Sequence, residues 1–429
     1  MQGVEKSAIR KITCRIVLYC GFLFFLNYID RVNVSFAALQ MNAELGFTPS
    51  VYGLASGIFF ISYAALEIPS NLALQRFGPR LWLSRIAITW GIVSACFALI
   101  HESWTFYLLR FLLGAAEAGF VPGVILYFSY WLPPRYRGKF FGSFFAISQI
   151  SSIVGAPLSG LILDGMHGLA GVSGWRWLFV VEGVPSILVG VLSLFVLVDK
   201  PADARWLTDA ERQWLARELQ TSAPKAAVEV RHVFTDPRVW TLISLYFFFV
   251  TSGYGLTFWL PLIIKNLGAL SPTQIGLLAS LPPLCALLAL IGIGWNSDRL
   301  HERRLHVAIS AFIGGIAMLA SAFAGSPVLS YILVCLAAAG IFGQNGVFWT
   351  LPANYLSPAV AAAGLAFINS VAQVGGFAGP YLVGWLREAS GGFGAPLMLL
   401  ASSSLVVAAI ATFLLPRDQP RAVAQPAVP

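Results

Sequence analysis

The sequence predicts an all-α membrane protein of twelve transmembrane helices arranged as two six-helix halves. Three observations predict it. Hydrophobic residues make up 58% of the chain and charged residues 11%, against about 45 to 50% and about 25% in soluble domains. Apolar runs long enough to cross a bilayer core, about 20 residues, recur six times before residue 200 and six times after it. A single long polar segment, 199–237, separates the two sets.

The first six runs fall at roughly 15 to 39, 51 to 72, 81 to 100, 104 to 131, 138 to 163 and 176 to 197. The second six fall at roughly 239 to 264, 273 to 296, 306 to 324, 328 to 351, 358 to 385 and 394 to 415. Charges or Pro/Gly-rich breaks bound each run. The expected organisation is therefore an N-terminal half, 1–198, a cytoplasmic linker, 199–237, and a C-terminal half with a short tail, 238–429. The first run is too long for a signal peptide and lacks a small-residue cleavage site, so it reads as a retained helix. Within the linker Thr208 and Glu211 fit a capping box, and Trp206, Ala210, Trp214, Leu215 and Leu219 recur on one face. That pattern describes an amphipathic helix, lying on the membrane surface or packed beneath the bundle.

Orientation follows from the 27 Lys and Arg residues. With the N-terminus inside, only Arg176, Lys265 and Arg387 fall outside and Arg31 and Arg110 inside spans, leaving 22 of the 27 on the cytoplasmic side. Because cytoplasmic loops carry the basic excess, both termini and the linker are expected in the cytoplasm, across a bacterial cytoplasmic membrane. The net charge of +8 thus serves topology and calls for no nucleic acid. Cys14, Cys20, Cys96, Cys285 and Cys335 are scattered singly, with neither a disulfide framework nor a zinc-ligand spacing. No nucleophile–base pair, metal-ligand cluster or Walker loop is present, so neither an enzyme nor an organic cofactor or metal is expected.

The ionisable residues inside spans carry the functional argument. Charged groups at membrane depth are costly, so they face a bundle interior or a wet cavity and mark functional sites. Asp30 and Arg31 sit side by side in the first run, roughly 100° apart around the helix, and cannot face one partner. Arg110 and Glu117 in the fourth run are almost two turns apart and share a face. We expect a network of Asp30, Arg110 and Glu117, with Arg31 left facing the cavity. Glu67, beside Pro69, is expected to reach water or a helix end in a structural role, and Glu182 stays open. Tyr28 and Tyr63 add hydroxyls. The C-terminal half places amides instead of charges in its spans: Gln344, Asn345, Asn369 and Gln373, with Gly340, Gly343 and Gly346 suggesting an irregular helix before Trp349. Gln149 offers an amide from the first half.

The stretches 26–31 (LNYIDR), 109–119 (LRFLLGAAEAG), 174–179 (GWRWLF) with Glu182-Gly183, and 206–208 (WLT) with Glu211-Arg212 resemble the major facilitator superfamily, and within it the anion:cation symporter family of organic-anion transporters. The resemblance covers nearly the whole chain. It implies twelve helices of the major facilitator fold, alternating access, and coupling of protons to a carboxylated solute, with the proton as the only coupling ion. By the same likeness Asp30 and Glu117 are the proton-carrying acids, Arg110 their partner and Arg31 the anion-binding base, while Tyr28, Tyr63, Gln149, Trp349 and Asn369 match cavity positions. Asn345 joins them on the amide argument. One loop departs from the superfamily pattern: Asn71 and Gln75 stand where Gly and Asp are usual, whereas the corresponding loop from Gly294 to Arg304 is intact.

The expected solute is a small organic anion, first a sugar acid or a tartrate-like hydroxydicarboxylate, because a guanidinium fork binds two oxygens and polar neighbours hold hydroxyls. An aromatic carboxylate, stacked on Tyr28, Tyr63, Trp349 and Trp259, is the alternative, and a membrane solute sensor the remote one. The other expected partner is the lipid bilayer, and the protein is expected to be a monomer.

Overall fold

The computed structural model describes residues 2–220, 234–352 and 358–416. Among them every regular element is helical. Before the linker come α1 Gly3–Glu44, α2 Pro49–Phe77, α3 Pro79–Leu99, α4 Ser103–Trp131, α5 Pro134–Gly165 and α6 Gly174–Val196. The linker contributes α7 Asp209–Gln220. After it come α8 Pro237–Lys265, α9 Pro272–Leu300, α10 Arg304–Ala322, α11 Pro327–Phe348, α12 Pro358–Ala372, α13 Val374–Ser390 and α14 Gly394–Phe413. Among the described residues eleven helices are long and apolar enough to cross a membrane. The run expected at 358 to 385 is two shorter helices, α12 and α13, that meet at Gln373.

Four helices start the same way, and the local chemistry explains it. Thr48, Asp236, Ser271 and Ser326 each accept a backbone N–H from the first turn, and each is followed by proline. The side chain satisfies one otherwise orphaned donor, and proline at the first helical position has no N–H to satisfy. Inside the spans the helices break where backbone geometry demands. Gly119 adopts φ +81° in the middle of α4. A Cβ there would lie 2.5 Å from Ser70 Oγ, so glycine is needed for both conformation and space. The break leaves Glu117 at the end of the first segment of α4. In α11 the expected irregularity is present: the helix stops at Gly343 and resumes at Asn345.

The helices before and after the linker meet along a seam that is closely packed at the end away from the termini, where α1 ends and α2 begins. A Cβ on Gly53 would lie 2.6 Å from Pro380 O, and one on Gly160 would lie 2.5 Å from Pro272 O. Small residues let α2 approach α13 and α5 approach α9 backbone to backbone. Hydrogen bonds cross the seam at the same end: Lys265 Nζ donates to Leu39 O at 2.9 Å, Ser50 N to Glu388 Oε2 at 2.8 Å, and Thr273 N to Asp164 Oδ2 at 2.8 Å.

The linker helix packs on the bundle, which decides between its two expected placements. Thr208 N donates to Glu211 Oε2 at 2.8 Å and Glu211 N to Thr208 Oγ1 at 3.3 Å, completing the capping box. Leu207 and Leu215 are buried, and Trp206 stacks on Trp131 of α4 with centroids 5.4 Å apart. Lys11 Nζ and Ser7 Oγ of α1 donate to the Glu211 carboxylate at 2.8 and 2.7 Å. In the first turn of α3, Arg80 N donates to Asp199 Oδ1 at 2.8 Å, so an acid just beyond α6 engages the α2–α3 connection that lacks its own.

Candidate functional site

Arg31 lies inside the bundle, 4% exposed, on the first long helix. Its Nε and Nη2 both donate to Glu117 Oε2, at 3.0 and 2.7 Å. Nη2 also reaches Asn27 Oδ1 at 3.2 Å, one turn back on α1, and Nη1 reaches Tyr254 Oη of α8 at 3.5 Å. The rings of Phe59 and Tyr63 on α2 each lie 5.2 Å from the guanidinium carbon. Glu117 is fully buried, and its second oxygen, Oε1, has no hydrogen-bond partner. The pair is therefore a two-pronged contact onto a single carboxylate oxygen, with the other oxygen held in reserve.

This corrects the expected network. Arg110 does not join Asp30 and Glu117. It is fully buried and donates to three backbone carbonyls: Nε to Ala55 O at 3.2 Å, Nη2 to Ser56 O at 3.1 Å, and Nη1 to Arg31 O at 3.4 Å. Phe59 and Phe258 cover its faces at 5.0 and 5.2 Å. Arg110 shares a face with Glu117 as its spacing requires, but α2 and α1 carbonyls reach it first. Asp30 looks the other way, into the packing of α1 with α3 and α6. It accepts from Ser94 Oγ at 2.7 Å, Trp90 Nε1 at 3.1 Å and Ser186 Oγ at 2.5 Å, all neutral donors. Nor is Arg31 left free, because Glu117 occupies its fork.

Glu67 also departs from expectation. It is 4% exposed and reaches neither water nor a helix end. Instead Asn369 Nδ2 and Ser370 Oγ of α12 donate to its two oxygens at 2.8 and 3.0 Å, so the acid bridges the seam. Asn369, expected to line the cavity, is thus engaged by Glu67 and by Gln373 Nε2 at 3.4 Å. Glu182 accepts from Ser159 Oγ at 2.8 Å, and its Oε2 has no partner.

The remaining candidates fall on two walls. Tyr28 and Gln149 line a cleft between α1 and α5 on one side and α8, α9 and α11 on the other, together with Ser152 and Thr257. Tyr63 stacks on Phe59 with centroids 5.7 Å apart, beneath Arg31. Trp349 meets Tyr246 edge-on at 4.9 Å, and Asn345 at the break in α11 has an Oδ1 without a partner. Two residues escaped the sequence reading: Asn27, one turn from Arg31, and Tyr254. Tyr254 had a signal, since it sits in Ser252-Gly253-Tyr254-Gly255, a polar, glycine-flanked patch at the centre of an apolar run. Trp259, invoked for an aromatic solute, is 1% exposed and donates to Pro380 O at 3.1 Å, so its ring belongs to the seam. No group of three or more His, Cys, Asp or Glu that could hold a metal occurs among the described residues.

A family model described as Major Facilitator Superfamily matches residues 20–270 and 263–429. A protein of Agrobacterium vitis named "Putative tartrate transporter" is 41% identical over 423 residues, covering 98% of this chain and 94% of its own. A protein of Acinetobacter baumannii named "Quinolone resistance transporter" is 42% identical over 402 residues, covering 92% of each chain. Among solved structures, a bacterial homologue of the human lysosomal transporter Spinster superposes with a TM-score of 0.77 at 19% identity, over 93% of this chain and 96% of that one.

Proposed function

This chain belongs to the major facilitator superfamily of membrane transporters, and from that premise we propose that it takes up a small organic anion together with protons by alternating access. The observation that carries the reading is the fork of Arg31 closed on Glu117 Oε2. A carboxylate solute needs the same planar fork, so solute and Glu117 compete for one guanidinium. Protonating Glu117 removes its claim and frees Arg31. Each bound ligand then favours the other, which is the reciprocal coupling that symport requires. The carboxylate charge is replaced by the solute charge, so the buried site stays balanced.

Around this exchange the other residues take supporting roles. Arg110, held by backbone carbonyls, keeps α1, α2 and α4 in register and contributes a fixed positive charge. Asp30 is the second proton-carrying acid, poised among Ser94, Trp90 and Ser186. Tyr28, Gln149 and Asn345 offer hydrogen bonds to the solute, and Tyr63 and Trp349 bound its space. Asn369 becomes available when Glu67 lets it go. The relative named for tartrate transport supports a hydroxylated dicarboxylate or sugar acid as the solute. An aromatic carboxylate is the second reading, favoured by the rings of Phe59 and Tyr63 over Arg31 and by the relative named for quinolone resistance. The excess of Lys and Arg beside the termini and linker supports a cytoplasmic location for both ends.

The test is accumulation in proteoliposomes. Tartrate should accumulate under an inward proton gradient with sodium equal on both sides, and growth of a host on tartrate against phthalate separates the two solute classes. Glu117→Gln should abolish gradient-driven accumulation while retaining tartrate counterflow, because glutamine keeps the shape of the protonated acid and cannot release a proton. Accumulation driven by sodium alone at equal pH contradicts the proposal.

A further inference from the structure

Glu182 is a buried acid that the exchange at Arg31 leaves unused. It lies on α6 and is 5% exposed. Its Oε1 accepts from Ser159 Oγ of α5 at 2.8 Å, and its Oε2 has no hydrogen-bond partner. On the α3 side the backbones pack closely at this turn, since a Cβ on Gly183 would lie 3.0 Å from Gly91 O. On the α1 side Asn33 and Asp30 lie next to the carboxyl, and Asp30 is the titratable group that faces it among the described residues. Among those residues Glu182 forms no ion pair.

Two atoms here lack the partners that buried polar groups normally have. Asn33 is 2% exposed and its Nδ2, a donor, is as vacant as the neighbouring Glu182 Oε2. Asp30, by contrast, has donors on both oxygens from Ser94, Trp90 and Ser186. An acid kept for structure uses its partners in one protonation state. Glu182 is provided for in two: a proton can sit on the vacant Oε2, and when it leaves, Asn33 Nδ2 can donate to the ionised oxygen.

Ser159 joins this acid to the cleft. It lines the same cleft as Ser152, and the two serines are almost two turns apart on one face of α5. A hydroxyl accepts one proton as it gives up another. A hydronium in the cleft passes its proton to Ser159 Oγ while the Ser159 hydroxyl proton moves to Glu182 Oε1. The hydronium becomes water, the serine is unchanged and the carboxylate becomes a carboxylic acid; release runs the same steps backwards. We infer that Glu182 is a third proton-carrying acid of the transport cycle, exchanging its proton with the cleft through Ser159. The inference rests on the proton-symport reading above and adds an acid and a route to it.

Infrared difference spectra of the full-length protein in lipid bilayers, taken between acidic and alkaline pH, test it without any solute. Wild-type protein should show a carbonyl band of a protonated carboxylic acid that Glu182→Gln lacks. Ser159→Ala should keep that band but slow its appearance several-fold after a rapid drop in pH, and Ser159→Thr, which restores the hydroxyl, should restore the rate. In proteoliposomes, the protons entering per tartrate, read from an internal pH dye against labelled tartrate, should be fewer by a whole proton in Glu182→Gln. A Glu182→Gln spectrum identical to wild type refutes the inference. So does a Ser159→Ala rate equal to wild type, the measurement that serves if Glu182→Gln folds poorly. If wild-type protein moves protons with tartrate and Glu182→Gln moves as many, Glu182 has no part in coupling while the symport reading stands. Absence of proton movement with tartrate in wild-type protein overturns both.

Discussion

The helices before the linker and those after it divide the chemistry unequally. Asp30, Arg31, Glu67, Arg110, Glu117 and Glu182 all lie within spans of the first half, whereas in the second half every Lys, Arg, Asp and Glu of a span stands at a helix end. The second half answers with hydroxyls and amides: Tyr254 toward Arg31, and Asn369 and Ser370 toward Glu67. The difference teaches where the chain keeps its buried charge. Breaking a buried ion pair costs about 3 to 5 kcal/mol, and an ordinary hydrogen bond contributes about 1. The costly Arg31–Glu117 contact joins two helices of one half, so the proposed alternating access need not break it. The contacts described across the seam are hydrogen bonds and not ion pairs, among them Tyr52 Oη to Phe258 O at 2.6 Å.

Three changes probe that contrast, beginning with the largest effect. Arg31→Met leaves the Glu117 carboxylate buried without a counter-charge, and should destabilise the protein by about 3 to 5 kcal/mol and abolish uptake. Adding Glu117→Gln should restore most of the thermal stability in detergent but no transport. A single variant as stable as wild type shows that the pair is not the costly contact within the first half.

A smaller effect is expected at the seam. Glu67→Gln keeps the size and one acceptor but weakens the charge-assisted bonds from Asn369 and Ser370. Combined with Asn369→Ala in a double-mutant cycle on melting stability, it should show a coupling of about 1 kcal/mol. Uptake should slow a few-fold without losing its dependence on the proton gradient. A coupling as large as that of Arg31 with Glu117 erases the distinction between the two kinds of contact.

The smallest effect concerns the linker, which is fastened to the first half. Partial burial pushes the Glu211 carboxyl up, but Lys11, with the backbone N–H of Thr208 and the hydroxyl of Ser7, more than offsets this and holds it down at about 2. A carboxyl with a lowered folded-state value stabilises fully above its ordinary range, about 4.3, and loses that contribution as pH falls through about 2. The melting temperature should therefore decline between about pH 4.3 and pH 2, and Glu211→Gln should flatten that part of the profile. An unchanged slope shows that the linker is held by Trp206 and Leu215 alone.

Much of the architecture was legible because a bilayer makes composition informative. Where nearly every neighbour is apolar, Asp30, Arg31, Arg110 and Glu117 declare themselves as functional or paired groups. Helix starts were legible too, since Thr208 with Glu211 is a purely local pattern. The pairing was not. Arg110 and Glu117 share a face, and from that spacing alone a shared network is reasonable, yet Arg110 finds the carbonyls of Ala55 and Ser56. Glu67 was misread because its partners lie 302 and 303 residues away, and nothing near Pro69 announces them. Trp259 looked like a stacking surface until Pro380 claimed its N–H.

The sequence alone determined the helical membrane fold, the span positions to within a few residues, the capping box of the linker helix and the set of buried ionisable groups. Each depends on quantities local to the chain: apolar length, turn chemistry, and the cost of charge at depth. Only the tertiary structure decided that Arg31 meets Glu117, that Asp30 is held by Ser94, Trp90 and Ser186, and that Glu182 meets Ser159. Those outcomes turn on which helix approaches which face, and at what depth. Close contacts such as Gly53 against Pro380 and Gly119 against Ser70 set both, between positions whose separation along the chain carries no trace of them.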